Sequence, residues 1–266
     1  MQIRDQLIVI TGGASGIGAA MARRFAREGA RMLVLVDQSA GPVHALAAEL
    51  GPGRCEAAVF DVGDGAATRH FIEDTEARLG PIDLYCSNAG ITAKGGAELA
   101  DAVWRSVMDV NLMAHVNAAR ILVPRMLARG GGYLLHTASA AGLLSQFDAP
   151  YAVSKHAAVA FAEWLAIQHG GENGIGVSCL CPAGVDTPLF RTEPEDRQKL
   201  MGEGMATPDE VAEAVVQGLA EERFLILPQP FVHDQVLRKA QDPERWIRGM
   251  RRWQAQLGEN QAPPPR

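Results

Sequence analysis

Short β-branched or Leu-rich runs alternate along this chain with Ala-rich stretches of helical period, and that alternation limits the possible folds more than any other feature. The apolar runs are Leu7 to Ile10, Met32 to Val36, Ala57 to Phe60, Ile82 to Cys86, Tyr133 to His136, Ile175 to Leu180 and Phe224 to Leu227. Strands separated by helices cannot pair as tight hairpins. They are joined by crossovers, which makes neighbouring strands parallel and covers both faces of the sheet. The expectation is an α/β fold: a single doubly wound parallel sheet of about seven strands with helices on both faces. The chain has 266 residues and contains no internal repeat or low-complexity linker, so one such domain over 1–266 is expected.

Bulk properties narrow the function. A hydrophobic content of 47% with 21% charged residues is that of a globular protein with ample core, and a net charge of -6 gives nucleic-acid binding no electrostatic support. No apolar run is long enough to span a bilayer, and the few residues before Leu7 leave no room for an export signal, so a cytoplasmic protein is expected. Cys55, Cys86, Cys179 and Cys181 lack the Cys-x-x-Cys spacing of a zinc site and read as buried, reduced thiols, with no metal expected. From about 188 to 206 the chain loses periodicity and collects charge, as expected of a mobile lid beside a site. Thr207-Pro208-Asp209-Glu210 is a capping box that opens the next helix. A helical extension is expected over about 230–258. Its Trp246, Met250, Trp253 and Leu257 form one apolar stripe and its Arg245, Arg248, Arg251 and Arg252 lie elsewhere, so the stripe should dock on this subunit or a neighbour. Ala262 to Arg266 is expected to be disordered.

The first strand runs directly into Thr11-Gly12-Gly13-Ala14-Ser15-Gly16-Ile17-Gly18, and then into a helix. Glycines at such a turn let the backbone approach a pyrophosphate, whose charge is met by free amides and the helix dipole. Gly12, Ser15, Gly16, Ile17 and Gly18 are the candidate contacts, as in a Rossmann dinucleotide site. Asp37 closes the second strand, where a carboxylate can accept both ribose hydroxyls of an adenosine and would repel a 2'-phosphate. Ser15 and Gln38 stand where a basic residue would be needed to hold that phosphate, so the expected cofactor is NAD rather than NADP.

Further along, Tyr151-Ala152-Val153-Ser154-Lys155 places a phenol and an ammonium at i and i+4, on one face of a helix. Tyrosine titrates near ~10 and is a poor base at neutral pH. A positive charge ~4 Å away is worth on the order of 4 kcal/mol at an effective dielectric of about 20, enough to bring the phenol close to physiological pH. Lys155 is therefore expected to lower the pKa of Tyr151.

With these residues in hand, the chain resembles the short-chain dehydrogenase/reductase family from about Asp5 to Leu227. The resemblance rests on the Gly-rich turn at residues 11 to 18, Asp61-Val62, Asn88-Ala89-Gly90, Asn111, Ser139 and the Tyr151/Lys155 pair, in that order. It implies that Tyr151 exchanges a proton with the substrate oxygen, that Ser139 orients that oxygen, and that Lys155 tunes the phenol and holds the nicotinamide ribose. It also implies that Asn111 positions a water linking Lys155 to solvent, that Asp61 and Val62 contact adenine, and that the Asn88, Ala89, Gly90 turn passes beneath the cofactor.

Four departures accompany the resemblance. The step from Ser139 to Tyr151 is one residue shorter than usual, and Thr137 offers a second hydroxyl nearby, so both remain candidates for orienting the substrate. The turn after the sixth strand reads Pro182-Ala183-Gly184-Val185-Asp186-Thr187, with its glycine displaced by one. Pro182, Val185 and Thr187 should still meet the carboxamide and phosphate of the cofactor. Ser87 stands in place of an Asn, and Pro228-Gln229-Pro230 replaces a Gly-rich closing segment.

The resulting expectation is an NAD-dependent oxidoreductase that interconverts a secondary alcohol and its ketone, oxidation being the expected direction. Leu143 to Asp148, the 188–205 segment and the tail helix should wall the substrate pocket. Leu143, Leu144, Phe147, Leu189, Phe190, Met201 and Met205 there point to a bulky apolar or aromatic substrate. Two alternatives keep the fold: an NAD-binding regulatory or scaffold protein, and a lyase or epimerase that retains NAD without net turnover. The first would be marked by loss of reacting residues, and none is lost. As in relatives, a homotetramer or homodimer is expected, with Ala152, Ala157, Ala158, Ala160 and Ala162 allowing close approach of a partner helix.

Overall fold

The computed structural model describes residues 1–145, 148–172, 174–193, 198 and 204–258, the last three of these by their backbone alone. Seven parallel strands form one sheet in the order β3-β2-β1-β4-β5-β6-β7. They are β1 (Leu7–Thr11), β2 (Met32–Asp37), β3 (Cys55–Val59), β4 (Leu84–Ser87), β5 (Tyr133–Thr137), β6 (Gly176–Leu180) and β7 (Leu225–Ile226). Each expected apolar run supplies one strand. The last strand is two residues long, pairing Leu225 with Cys179 and Ile226 with Leu180, and Pro228, which has no N–H to donate, follows soon after.

Nine α-helices flank the sheet: α1 (Gly16–Arg27), α2 (Ala40–Leu50), α3 (Gly65–Leu79), α4 (Asp101–Met108), α5 (Ala114–Ala128), α6 (Ala149–His169), α7 (Pro208–Ala220), α8 (Phe231–Gln241) and α9 (Pro243–Gly258) among the described residues. Alternate residues of each strand feed two cores. Ile8, Ile10, Leu33 and Leu35 pack under Met21 and Phe25 of α1 and Val211, Val215 and Leu219 of α7. Leu7, Val9, Val34 and Val36 pack under Ile72 of α3, Leu122 and Met126 of α5, and Ala158, Ala162 and Leu165 of α6. Every residue of β1 is buried. Each large apolar side chain so enclosed contributes about 1.5–3 kcal/mol relative to exposure. The capping box at α7 forms as expected, Thr207 Oγ1 accepting from Glu210 N at 3.2 Å while Thr207 N donates to Glu210 Oε2 at 2.7 Å.

The chain enters the sheet in the middle, winds out to β3, then crosses back to β4 and winds out to β7. The crossovers on the two sides of β1 and β4 therefore leave in opposite directions, which opens a crevice beyond the carboxyl ends of these strands. No helix among the described residues is long and apolar enough to cross a membrane.

Candidate active site

A continuous cleft of about 870 Å³ lies along this crevice. Its floor begins at the turn after β1. Gly12 has φ of +65°, and a Cβ there would stand 2.9 Å from the Cα of Ala89, so only glycine lets the β1 and β4 turns meet. Thr11 Oγ1 stitches them together by accepting from Asn88 N (2.9 Å) and Ala89 N (3.1 Å), and Asn88 Nδ2 donates to Thr11 O at 3.0 Å. Ser15 caps α1 with its backbone only, its hydroxyl accepting from none of the first-turn amides. These amides keep their donors for an anion at the helix N-terminus.

Of the residues expected at a cofactor, Gly12, Ser15, Gly16, Ile17, Asp37, Asp61, Val62, Asn88, Ala89, Gly90, Tyr151, Lys155, Pro182, Val185 and Thr187 all line this cleft. Gly18 does not. It lies behind the turn, where a Cβ would sit 2.1 Å from Gly12 O, so its role is packing of helix against turn. The Asp37 carboxylate is fixed by two backbone amides, Oδ2 accepting from Ala14 N at 3.1 Å and Oδ1 from Ser39 N at 2.9 Å. Each oxygen retains acceptor capacity towards the cleft. The glycine turn, the unmet amides of α1 and the carboxylate beyond them fit the pyrophosphate and adenosine ribose of a dinucleotide.

At the other end of the cleft stand Ser139, Tyr151 and Lys155. Tyr151 and Lys155 converge as their i, i+4 spacing requires, with Nζ 5.7 Å from the centre of the phenol ring. Nζ donates to Thr137 O at 3.0 Å, leaving two of the ammonium's three donors. The Ser139 hydroxyl shares this end of the cleft with the phenol, accepting from Ala141 N at 3.1 Å and donating to Pro182 O at 3.4 Å. Thr137 Oγ1, by contrast, is buried with no partner among the described residues.

The charge balance departs from the sequence expectation. Burial raises the Tyr151 phenol above its usual range, and the nearby Ser139 hydroxyl opposes this without reversing it. Burial also lowers Lys155 to about 8. The ammonium does not drop the phenol towards neutrality, because desolvation acts on both groups and Nζ is directed to Thr137 O.

Asn111 lies in a π turn (Asp109–Met113) between α4 and α5, fully buried one layer behind the cleft. Its Oδ1 accepts from Ile91 N at 2.9 Å, while Nδ2 donates to Ile91 O at 2.9 Å and to Ser154 Oγ at 3.0 Å. Ser154 Oγ in turn donates to Tyr151 O at 2.8 Å. The side-chain carboxamide thus ties the Ile91 segment to α6.

The substrate end also differs in part from expectation. Asp148, Leu189 and Phe190 line it, with Phe231 and Gln235 of α8 and Trp253 of α9. Leu144 is instead buried with Val232 and the partly buried Leu143 and Trp246, so the tail stripe docks on this subunit. Met205 is 37% exposed and not part of the lining. Phe147, residues 194–197 and 199–203 of the 188–206 segment (Met201 among them), the Leu257 side chain and Ala262 to Arg266 lie outside the described residues. Phe231 and Gln235 lie in the expected 230–258 extension but were not singled out from the sequence; their only signal was spacing of i and i+4 at the start of its first helix.

The family model for short chain dehydrogenases matches residues 6–198. The chain belongs to the short-chain dehydrogenase family. Among its relatives, 1-deoxy-11-beta-hydroxypentalenate dehydrogenase of Streptomyces arenae is 38% identical over 238 residues, 85% of this chain and 83% of that protein. Meso-2,3-butanediol dehydrogenase of Serratia marcescens is 33% identical over 229 residues, 84% of this chain and 90% of the relative. A short-chain dehydrogenase/reductase of Burkholderia phymatum, solved in complex with NAD, superposes with a TM-score of 0.82 at 30% identity, covering 92% of this chain and 96% of that one. The family match ends at residue 198, so α7, α8 and α9, including the part of the substrate wall formed by Phe231, Gln235 and Trp253, lie beyond it.

Proposed function

We propose that this short-chain dehydrogenase is an NAD-dependent enzyme that oxidises a secondary alcohol to its ketone. The observation that carries the reading is one cleft lined by the Ser139 and Tyr151 hydroxyls, Lys155 and the amide-fixed Asp37 carboxylate. Bound along it, NAD would supply the hydride acceptor. As the phenolate, which burial disfavours in the free protein and the positive charge of bound NAD would favour, Tyr151 takes the proton of the alcohol; Ser139 holds its oxygen, and the two remaining donors of Lys155 hold ribose hydroxyls. Asn111 acts through Ser154 and Ile91, positioning the first turns of α6 rather than touching substrate. Asp37 excludes a 2'-phosphate, with Gln38 beside it offering no positive charge.

Leu189, Phe190, Phe231 and Trp253 around the substrate end favour a bulky apolar or aromatic alcohol. The hydroxypentalenate and butanediol dehydrogenases are named for hydroxyl-bearing substrates, which is consistent with this class of reaction.

The test is cofactor reduction across a panel of alcohols, with NAD and NADP side by side. Turnover with NAD and a preference over NADP are expected; NAD binding without turnover on any alcohol or ketone would overturn the reading. Tyr151→Phe should lower kcat by ~100-fold or more while leaving NAD affinity unchanged. Near-wild-type rates in that variant would exclude Tyr151 as the proton carrier.

A further inference from the structure

The Pro182–Thr187 loop lines the cleft beside Tyr151, and its glycine is displaced by one position relative to the family turn. Its central peptide groups are held by a residue remote in sequence. Gln229 is 5% exposed, its Oε1 accepting from Ala183 N at 3.0 Å and its Nε2 donating to Gly184 O at 2.8 Å. A carboxamide engages a neighbouring N–H and C=O together only when both lie at a set distance and in its plane, so this pair fixes the orientation of the loop as well as its position.

The backbone of Gln229 belongs to a second structure. Its carbonyl accepts from Val232 N at 3.1 Å and so begins α8, the helix whose Phe231 and Gln235 line the substrate end. Pro228 and Pro230 flank it, each with φ fixed by its ring, which limits how far the backbone can swivel under the side chain. The loop has other anchors, since Ala140 N donates to Pro182 O at 2.8 Å and Ala206 N to Gly184 O at 3.0 Å. Losing the Gln229 side chain would therefore leave the loop attached while depriving Ala183 N of its partner.

We propose that Gln229 is a positioning residue that locks the Pro182–Thr187 loop, against which the nicotinamide end of the cofactor would rest, to the helix roofing the substrate end. The inference depends on the NAD-dependent reading above. It makes the C-terminal extension part of the cofactor site at one remove: one side chain sets the loop, and the same residue's backbone starts the roof.

The test uses the full chain as wild type, Gln229→Met and Gln229→Glu. Methionine keeps the length of the side chain without the two bonds; glutamate keeps the acceptor for Ala183 N but loses the donor to Gly184 O. Calorimetric titration is run with NAD and with AMP, which carries only the adenosine end. For Gln229→Met, NAD affinity should fall roughly tenfold while AMP affinity holds within roughly twofold, with Gln229→Glu between the two. The KM for a bulky alcohol should rise in the same order, because α8 loses its anchor. Unchanged NAD affinity and unchanged alcohol KM in Gln229→Met would overturn the proposal. Equal losses for NAD and AMP would also overturn it, since they would mark a general structural role. A wild type that binds neither ligand would instead remove the NAD-dependent reading, and the present proposal with it.

Discussion

Lys155 is 2% exposed, and enclosing an ammonium so fully disfavours its charged form enough to bring it to about 8. The phenol beside it is subject to the same force with the opposite consequence. Loss of water raises Tyr151, and the other two tyrosines, Tyr85 and Tyr133, are raised by burial as well. The free protein should therefore show no phenolate absorbance up to its ordinary range near 10 in an ultraviolet difference titration, and a full three-tyrosine signal only on unfolding. A phenolate band that grows in below about pH 9 and vanishes in Tyr151→Phe would mean that the ammonium outweighs burial. The contact between the two residues was legible in the sequence because helical spacing alone dictates it. The sign of the shift was not, because it depends on how much protein surrounds the pair and on Nζ being turned to Thr137 O.

At the scale of elements, strands and glycine turns were readable because their causes are local: alternation sets the strand, and the turn after β1 admits no side chain at Gly12. Which way a helix faces was less so. Ala152, Ala158 and Ala162, expected to admit a partner helix, are buried within their own subunit, the last two in the core beneath the sheet, and only Ala157 and Ala160 lie towards the outside. Period defines a face, but not what covers it. The same holds for Asn111, placed in a helix by its sequence and found in a π turn, where the extra residue per turn lets the carboxamide reach Ile91. For the C-terminal extension, the stripe predicted docking and the structure adds the destination, with Trp246 over Leu144 and Trp253 at the cleft. Trp253→Ala should raise the KM of a bulky secondary alcohol roughly tenfold or more, the worth of one buried aromatic, and leave that of a small alcohol unchanged. A uniform rise for both, measured by steady-state kinetics, would assign Trp253 to folding rather than to substrate fit.

For the whole molecule, two properties follow from groups outside the reaction. The outer face of α6 carries Val153, Trp164 and Ile167, exposed by 49%, 51% and 71%, on one stripe with Ala157 and Ala160. We expect this stripe to be covered in a homodimer or homotetramer, so that Ile167→Glu lowers the molar mass measured by light scattering; an unchanged assembly would place the interface elsewhere. Stability against acid is set deeper. His115 on α5 and His136 on β5 are both buried, with their Nδ1 atoms 3.1 Å apart and both Nε2 atoms without a partner among the described residues. Burial lowers His136 from 6.5 to about 4, and burial, then the neighbouring His136 and Lys155, lower His115 as well. The folded protein thus keeps both rings neutral at a pH where the unfolded chain binds protons. Stability must then fall as pH drops from about 6.5 to about 4, by about 3 kcal/mol from His136 alone, with His115 acting in the same direction. Urea melts at stepped pH should show that slope in wild type and a flatter one in the double variant His115→Gln/His136→Gln. If the double variant loses stability with acid as steeply as wild type, the sensitivity resides in carboxylates such as Glu76, whose bonds to Arg125 and Arg129 hold it low, and not in the histidine pair.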